Sequence, residues 1–127
     1  MNKYVLDSSA LLALINQEEG ADKVQPITKN SIISTVNYSE VAAVLNTMGM
    51  PCHEIEEMFP ELGIKIIPFE ENHALLAAEF RTKTKHKGLS LGDRACLALG
   101  KISNLPIFTA HRIWKTLELD LEILLIR

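Results

Sequence analysis

Short apolar runs alternate along this chain with longer segments whose apolar residues recur at helical spacing. The short runs predict strands at residues 3–6, 31–34, 64–68, 106–109 and 122–126. The longer segments predict helices at residues 8–16, 35–48, 52–59, 70–83 and 90–101, with a short helix before Pro26 and a turn or short helix around Trp114. Strands that alternate with helices form a mostly parallel sheet that helices cover on both faces. The sequence therefore predicts an α/β fold in which helix 90–101, apolar nearly all round, is central.

Size and composition limit the architecture and the partners. The chain has 127 residues, of which 47% are hydrophobic, and no linker divides it, so we expect one domain over residues 1–127. Its net charge is −3, which means that any contact with nucleic acid needs a local basic patch. No segment reaches the roughly 18 apolar residues of a membrane span, and the N-terminus lacks a signal-peptide layout. We expect a cytoplasmic protein in which Cys52 and Cys96 are reduced and packed.

Three acidic residues stand where the predicted fold places chemistry. Asp7 directly follows the first strand, and Glu40 and Asp93 lie early in later helices. In open α/β sheets, ligands bind outside the carboxyl ends of the strands. Glu40 shares a helical column with Val36 and Val44, which predicts a buried carboxylate that needs a cation or a local donor. Three converging carboxylates indicate a site for Mg²⁺ or Mn²⁺, which could orient water against a phosphodiester, with an unbound carboxylate as general base.

Helix capping is the competing explanation for two of these acids. Ser90 and Asp93 have the spacing of a capping box, in which a hydroxyl is followed three residues later by an acid. Asp7 precedes a helix and is a candidate N-cap. Capping explains either residue alone better than catalysis does. The occurrence of three such acids in one small α/β domain weakens a joint capping explanation, although spacing alone does not exclude it.

Four stretches carry a resemblance to a known family. They are residues 5–13 (VLDSSALLA), 33–41 (ISTVNYSEV), 88–98 (GLSLGDRACLA) and 106–110 (PIFTA). In this order they resemble the PIN-domain ribonucleases, specifically the VapC toxins of bacterial toxin–antitoxin pairs. The third stretch is specific, whereas the first alone would be weak.

The resemblance implies a PIN-like three-layer sandwich, Mg²⁺- or Mn²⁺-dependent cleavage of RNA, inhibition by a cognate antitoxin protein and a homodimer. It implies that Asp7, Glu40 and Asp93 are catalytic. Asp7 and Asp93 would bind the metal, and Glu40 would complete the site through water. The hydroxyls of Ser9 and Thr109 would line it.

The chain departs from the family at His111, where the family usually has another Asp after the stretch that ends in Thr109 and Ala110. Mg²⁺ prefers oxygen to imidazole, so weaker metal binding and reduced or absent cleavage are expected. One alternative is therefore a PIN-fold protein that no longer cleaves and acts by binding RNA or its antitoxin. Another is that His111 is a tolerated polar residue in a loop.

A basic cluster precedes and enters the helix that carries Asp93. It consists of Arg81, Lys83, Lys85, Lys87 and Arg94. Phosphate backbones need local positive charge, so this cluster is a candidate guide for RNA. For the segment alone, a solvated loop is the simpler explanation.

Overall fold

The structure, a computed structural model, describes all 127 residues of the chain. The strands are β1 (Tyr4–Leu6), β2 (Ser31–Ser34), β3 (Lys65–Ile67), β4 (Ile107–Thr109) and β5 (Ile123–Leu125). The helices are α1 (Ser8–Ile15), α2 (Ala21–Val24), α3 (Thr35–Thr47), α4 (Cys52–Leu62), α5 (Glu71–Thr84) and α6 (Leu91–Ser103). Short 3₁₀ helices lie at Gln25–Asn30, Lys85–Lys87 and Arg112–Thr116.

All five strands are parallel and form one sheet in the order β3-β2-β1-β4-β5. The chain builds outwards from the central β1 to β2 and β3, and then crosses to the other side of β1 to add β4 and β5. The strand order therefore reverses between β1 and β4, and the crevice outside the carboxyl ends of those strands is where such sheets bind ligands. Asp7 follows β1 directly, and Thr109 ends β4.

The core has two layers, one on each face of the sheet. Alternation along the strands divides them: Leu6 of β1 and Ile33 of β2 belong to one layer, while Val5 and Ile32 belong to the other. Helices α1 to α4 cover the first layer, and α5 and α6 cover the second together with Trp114. This arrangement confirms the predicted three-layer α/β sandwich with a parallel sheet.

Helix α6 is the most deeply packed helix, as its apolar sequence predicted. Every residue from 94 to 100 is buried, and one of them is Gly100. A β-carbon on Gly100 would overlap the side chain of Ile107, so this glycine lets α6 lie close against β4. Trp114, in the 3₁₀ helix after β4, is 1% exposed and belongs to the core.

The structure corrects three details of the predicted elements. Helix α4 continues through Pro60 to Leu62, because Pro60 lies in the last turn and the backbone N–H of Gly63 donates to its carbonyl at 3.0 Å. The segment of the basic cluster, for which a solvated loop was the simpler explanation, is helical, since α5 extends to Thr84 and a 3₁₀ turn follows at Lys85–Lys87. Cys52, predicted to be packed, is exposed on the first turn of α4, while Cys96 is fully buried. None of the helices combines the length and the apolar character needed to cross a membrane.

Candidate active site

The carboxylate of Asp7 lies at the bottom of the crevice between β1 and β4 and is 2% exposed. Its Oδ2 atom accepts hydrogen bonds from the hydroxyl of Ser9 at 2.6 Å and from the hydroxyl of Thr109 at 2.9 Å. These two hydroxyls were the ones expected to line the site. Asp7 occupies the N-cap position of α1, but its side chain makes no capping hydrogen bond. Capping therefore does not explain this residue, and its carboxylate is held in the crevice instead.

Burial sets the electrostatics of Asp7. Loss of water raises the pKa of its carboxyl, and the negative charge of Asp93 raises it further. The hydroxyl of Ser9, the nearby His111 and the hydroxyl of Thr109 lower the pKa, in that order, but burial outweighs them. A buried carboxylate in this state is stabilised by a proton or by a cation beside it.

Asp93 both caps a helix and faces Asp7. Its backbone N–H donates to the Ser90 hydroxyl at 3.1 Å, and its Oδ2 accepts from the Ser90 backbone N–H at 2.9 Å, which forms the predicted capping box. The same carboxylate contributes to a group in which ligand atoms of Asp7, Asp93 and His111 all lie within 4.8 Å of one another. Capping thus fixes the direction of the Asp93 side chain and does not exclude a role as ligand.

Glu40 lies beside this group and is not part of it. Its Oε1 accepts from the Ser8 hydroxyl at 2.5 Å and from Nδ2 of Asn37 at 2.9 Å. The expectation of a buried carboxylate was wrong, because Glu40 is exposed and Val44, in the same helical column, is 40% exposed. The side of α3 that packs into the core carries Asn37, Val41 and Leu45 instead. Glu40 is therefore held by hydrogen bonds at the rim of the crevice.

Asn37 joins Glu40 to the start of α6, and it was not singled out from the sequence. It is fully buried, and its Nδ2 donates to Glu40 and also to the carbonyl of Gly92 at 2.9 Å. Its Oδ1 is buried without a hydrogen-bond partner. The sequence did offer one indication of this contact. Asn37 lies three residues before Glu40 on one helix, and side chains with that spacing are neighbours on the helix surface.

Gly92 allows the carboxylate of Glu40 to approach α6. A β-carbon at this position would overlap Oε2 of Glu40 and would lie 2.6 Å from Oε1. The absence of a side chain at Gly92 thus brings Glu40 next to the residue preceding Asp93. The stretch GLSLGDRA that was quoted as specific contains this glycine.

We expect Gly92→Ala to lower the activity that the family resemblance implies and to destabilise the protein by roughly 1 kcal/mol. Alanine in a helix gains roughly 0.5–1 kcal/mol over glycine, and displacing Glu40 loses hydrogen bonds worth roughly 1 kcal/mol each. Displacement of a residue that positions a site costs about 10- to 100-fold in activity. The rate of the RNA cleavage that the family resemblance implies measures the first effect, and urea unfolding measures the second.

A double-mutant cycle is the control for Gly92→Ala. In a Glu40→Ala background the overlap is gone, so Gly92→Ala should stabilise the protein, whereas in the wild-type background it should not. Equal effects on stability in both backgrounds would contradict the close approach that we describe.

His111 follows Thr109 and Ala110 at the end of β4 and points into the crevice. Its Nε2 lies 3.4 Å from Oδ2 of Asp7, although 48% of its side chain is exposed. The residue that departs from the family pattern thus faces the central acid directly. His111 lies outside the helices and strands, so it is a loop residue as predicted, and it stands beside the central acid.

The basic cluster divides into buried and exposed members. Arg94 is 8% exposed, and its Nη1 donates to the carbonyl of Ala77 at 3.0 Å, so it ties α6 to α5 and was wrongly included as an RNA guide. Lys83 pairs with Glu79 at 3.5 Å on the surface of α5. A pocket of about 230 Å³ is lined by Arg81, Thr84, Lys85, Gly88 and Leu89. Exposed positive charge therefore does lie next to the start of α6.

Comparison with known proteins gives consistent relatives. Residues 4–118 match the family model of the PIN domain. The chain is 26% identical over 113 residues to Ribonuclease VapC42 and 30% identical over 112 residues to Ribonuclease VapC30, both of Mycobacterium tuberculosis. Each alignment covers 81% of this chain and 86% of the relative.

Solved structures agree on the fold. DNA-bound VapBC from Salmonella typhimurium aligns over 100% of both chains with a TM-score of 0.76 at 15% identity. VapC20 of Mycobacterium tuberculosis, a toxin that cleaves the sarcin-ricin loop, aligns over 90% of this chain and 94% of its own, with a TM-score of 0.71 at 11% identity. At such identities the likeness concerns the fold alone. Together with the match of the family model over residues 4–118, these findings mean that the chain belongs to the PIN domain family and is a relative of the VapC ribonucleases.

Proposed function

We propose that this protein is the toxin of a bacterial toxin–antitoxin pair and that it hydrolyses RNA phosphodiester bonds as a metal-dependent endoribonuclease. The observation that carries the proposal is the approach of the buried Asp7 carboxylate to Asp93 at the point where the strand order reverses. The names of the relatives, which are ribonucleases, support RNA as the substrate.

The donor set fits a divalent cation. Asp7 is buried, its carboxyl pKa is raised, and no lysine or arginine pairs with it. Asp7 and Asp93 would hold Mg²⁺ or Mn²⁺ through carboxylate oxygens. When bound, such an ion polarises the phosphate and lowers the pKa of water. Ser9 and Thr109 fix one oxygen of Asp7, and the capping box fixes one oxygen of Asp93, so both carboxylates are oriented before any substrate arrives.

Glu40 is proposed to position the attacking water and to accept its proton. Ser8 and Asn37 both donate to Oε1, which leaves Oε2 as the basic atom. Because Glu40 is exposed, it can exchange a proton with solvent after each turnover.

The exposed basic residues beside α6 are proposed to bind the RNA backbone. Arg81, Lys85 and Lys87 are exposed, and two of them line the 230 Å³ pocket next to Gly88. The net charge of −3 makes such a local patch necessary for a nucleic-acid substrate.

A protein partner is proposed on the basis of similar solved structures. VapBC from Salmonella typhimurium and a toxin–antitoxin complex from Klebsiella pneumoniae are among the similar structures, which supports a cognate antitoxin protein. An apolar pocket of about 280 Å³ between α1 and α4 includes Leu14, Ile15, Met58 and Leu62 and suits an apolar antitoxin helix.

We further propose that residues 1–127 form a single PIN-like domain, that the protein is a homodimer, and that it acts in the cytoplasm.

Incubation of the purified protein with total RNA tests the function. Discrete fragments should appear with Mn²⁺ or Mg²⁺ and should be absent with EDTA. The Asp7→Asn variant is the matched control for a contaminating nuclease. Fragments of equal intensity from the variant, or with EDTA, would contradict the proposal.

A PIN-fold protein that binds RNA or antitoxin without cleavage is the second candidate. It rests on the departure from the family pattern at His111, which lies beside Asp7, whereas the ribonuclease names of the relatives favour the first candidate. Absence of cleavage by the wild-type protein, together with cleavage by the His111→Asp variant, would select this candidate.

A further inference from the structure

The imidazole of His111 is placed as a third ligand to the proposed ion. Its Nε2 lies 3.4 Å from Oδ2 of Asp7, and the ligand atoms of Asp7, Asp93 and His111 lie within 4.8 Å of one another. In an octahedral site with bonds of about 2.1 Å, neighbouring ligand atoms are about 3 Å apart and opposite ones about 4.2 Å. Small side-chain movements therefore suffice to bring all three residues onto one ion.

The orientation of His111 is held by its own chain. Its ring packs against the ring of Trp114 with the centroids 5.4 Å apart and the planes inclined by 34°. Its backbone N–H donates to the hydroxyl of Thr109 at 3.1 Å, and its carbonyl accepts from the backbone N–H of Trp114 at 3.1 Å. Because Trp114 is 1% exposed, the imidazole is supported by the core although its outer face meets solvent.

The chemistry of the donor set decides which ion fits. Mg²⁺ requires oxygen ligands and keeps much of its water, whereas imidazole nitrogen is a ligand of the first-row transition ions, among which Mn²⁺ binds most weakly. A third carboxylate would give the site a charge of −3, and His111 leaves it at −2. The smaller charge weakens the binding of Mg²⁺, which is held mainly by electrostatic attraction. For a transition ion, the bond to the imidazole nitrogen offsets this loss of affinity.

We propose that His111 is a metal ligand through Nε2 and that it makes this site selective for a transition-metal dication such as Mn²⁺ over Mg²⁺. The inference rests on the proposed metal site, but it requires no RNA cleavage. The replacement of an acid by His111 is then a change of ion rather than a loss of the site.

Calorimetric titration with Mn²⁺ and with Mg²⁺ tests this selectivity. We expect the ratio of the Mg²⁺ to the Mn²⁺ dissociation constant to be at least about tenfold higher for the wild-type protein than for His111→Asp. The matched control is His53→Asp, the same substitution at an exposed histidine of α4. It should leave the ratio unchanged.

Fluorescence reports whether the ion occupies this site. Trp114 is the sole tryptophan of the chain and packs on His111, so paramagnetic Mn²⁺ bound to His111 should quench its emission. Quenching should saturate at the calorimetric dissociation constant and should be lost in Asp7→Asn. This readout shows that the ion lies beside Trp114, and the calorimetric ratio for His111→Asp shows whether the imidazole binds it.

The outcomes separate this inference from the proposed function. Equal ratios in wild type and His111→Asp, or Mn²⁺ binding without quenching of Trp114, would overturn the inference and leave RNA cleavage untouched. The expected ratios and quenching in a protein that does not cut RNA would support the ligand role of His111 and overturn the nuclease.

Discussion

The Asp7→Asn variant is expected to lose RNA cleavage and yet to melt at a higher temperature than the wild-type protein when no divalent ion is present. Asparagine keeps a carbonyl oxygen that can accept from Ser9 and Thr109, so the local hydrogen bonds persist. It removes a buried charge whose cost is evident in the raised pKa of the Asp7 carboxyl. Loss of a metal ligand should reduce cleavage by about 10³-fold or more, since even residues that only support ligands contribute 10- to 100-fold.

The stability gain of Asp7→Asn should depend on pH with a definite sign. Because the pKa of Asp7 is higher in the folded than in the unfolded protein, the stabilising protonated form is lost as the pH rises through the folded pKa. The wild-type protein is therefore penalised at neutral pH, and the difference between the two proteins should vanish below the ordinary value of 3.8. Each kcal/mol of difference corresponds to about 3–5 °C in melting temperature for a chain of this size.

Melting curves at several pH values in EDTA, with and without added Mn²⁺, measure this behaviour. The control is Asp22→Asn, which removes the same charge from an exposed position of α2. Added Mn²⁺ should stabilise the wild type and Asp22→Asn but not Asp7→Asn. A variant that melts lower than the wild type at pH 7 in EDTA would show that the Asp7 carboxylate is not under electrostatic penalty.

The Glu40→Gln variant should lose cleavage while keeping both its fold and its metal. Glutamine retains an oxygen at the position that accepts from Ser8 and Asn37, so these hydrogen bonds survive. The other atom becomes an amide nitrogen that can no longer accept a proton. Loss of a general base lowers the rate by about 10²- to 10⁴-fold.

Separate measurements of the cleavage rate and of the Mn²⁺ dissociation constant distinguish the role of Glu40 from that of Asp7. Glu40 is outside the group of potential ligands, so the dissociation constant should change little. Glu56→Gln, at an exposed position of α4, is the matched control and should behave as the wild type. Full activity of Glu40→Gln would remove this residue from the chemistry, and a large loss of metal affinity would make it a ligand.

The order of elements was predictable because local patterns determine it. Residues 31–34 form a strand as predicted, and helix α3 begins at Thr35 after the side chain of Ser34 accepts from the N–H of Val36. The end of α4 was not predictable from Pro60. A proline in the last turn forfeits only one helical hydrogen bond, and the buried Phe59 holds that turn against the core.

The sequence located the two acids that the structure brings together, Asp7 and Asp93, but not their environments. Asp7 and Asp93 were located by their positions after a strand and at a helix start. The spacing of Val36, Glu40 and Val44 indicated burial, but spacing does not tell which side of a helix packs, and here the buried side carries Asn37. The contact from Asn37 to Gly92 spans 55 residues of sequence and has no local signature.

The position of Asp7 directly after β1 has a consequence for how this protein can be inhibited. Val5 and Leu6, the two residues before it, extend into opposite layers of the core. If one layer of the core unfolds locally, the other layer still packs against β1. We therefore expect the crevice to keep its shape until the whole protein unfolds. Inhibition of the proposed nuclease in a cell then requires a molecule that binds in the crevice or degradation of the entire chain.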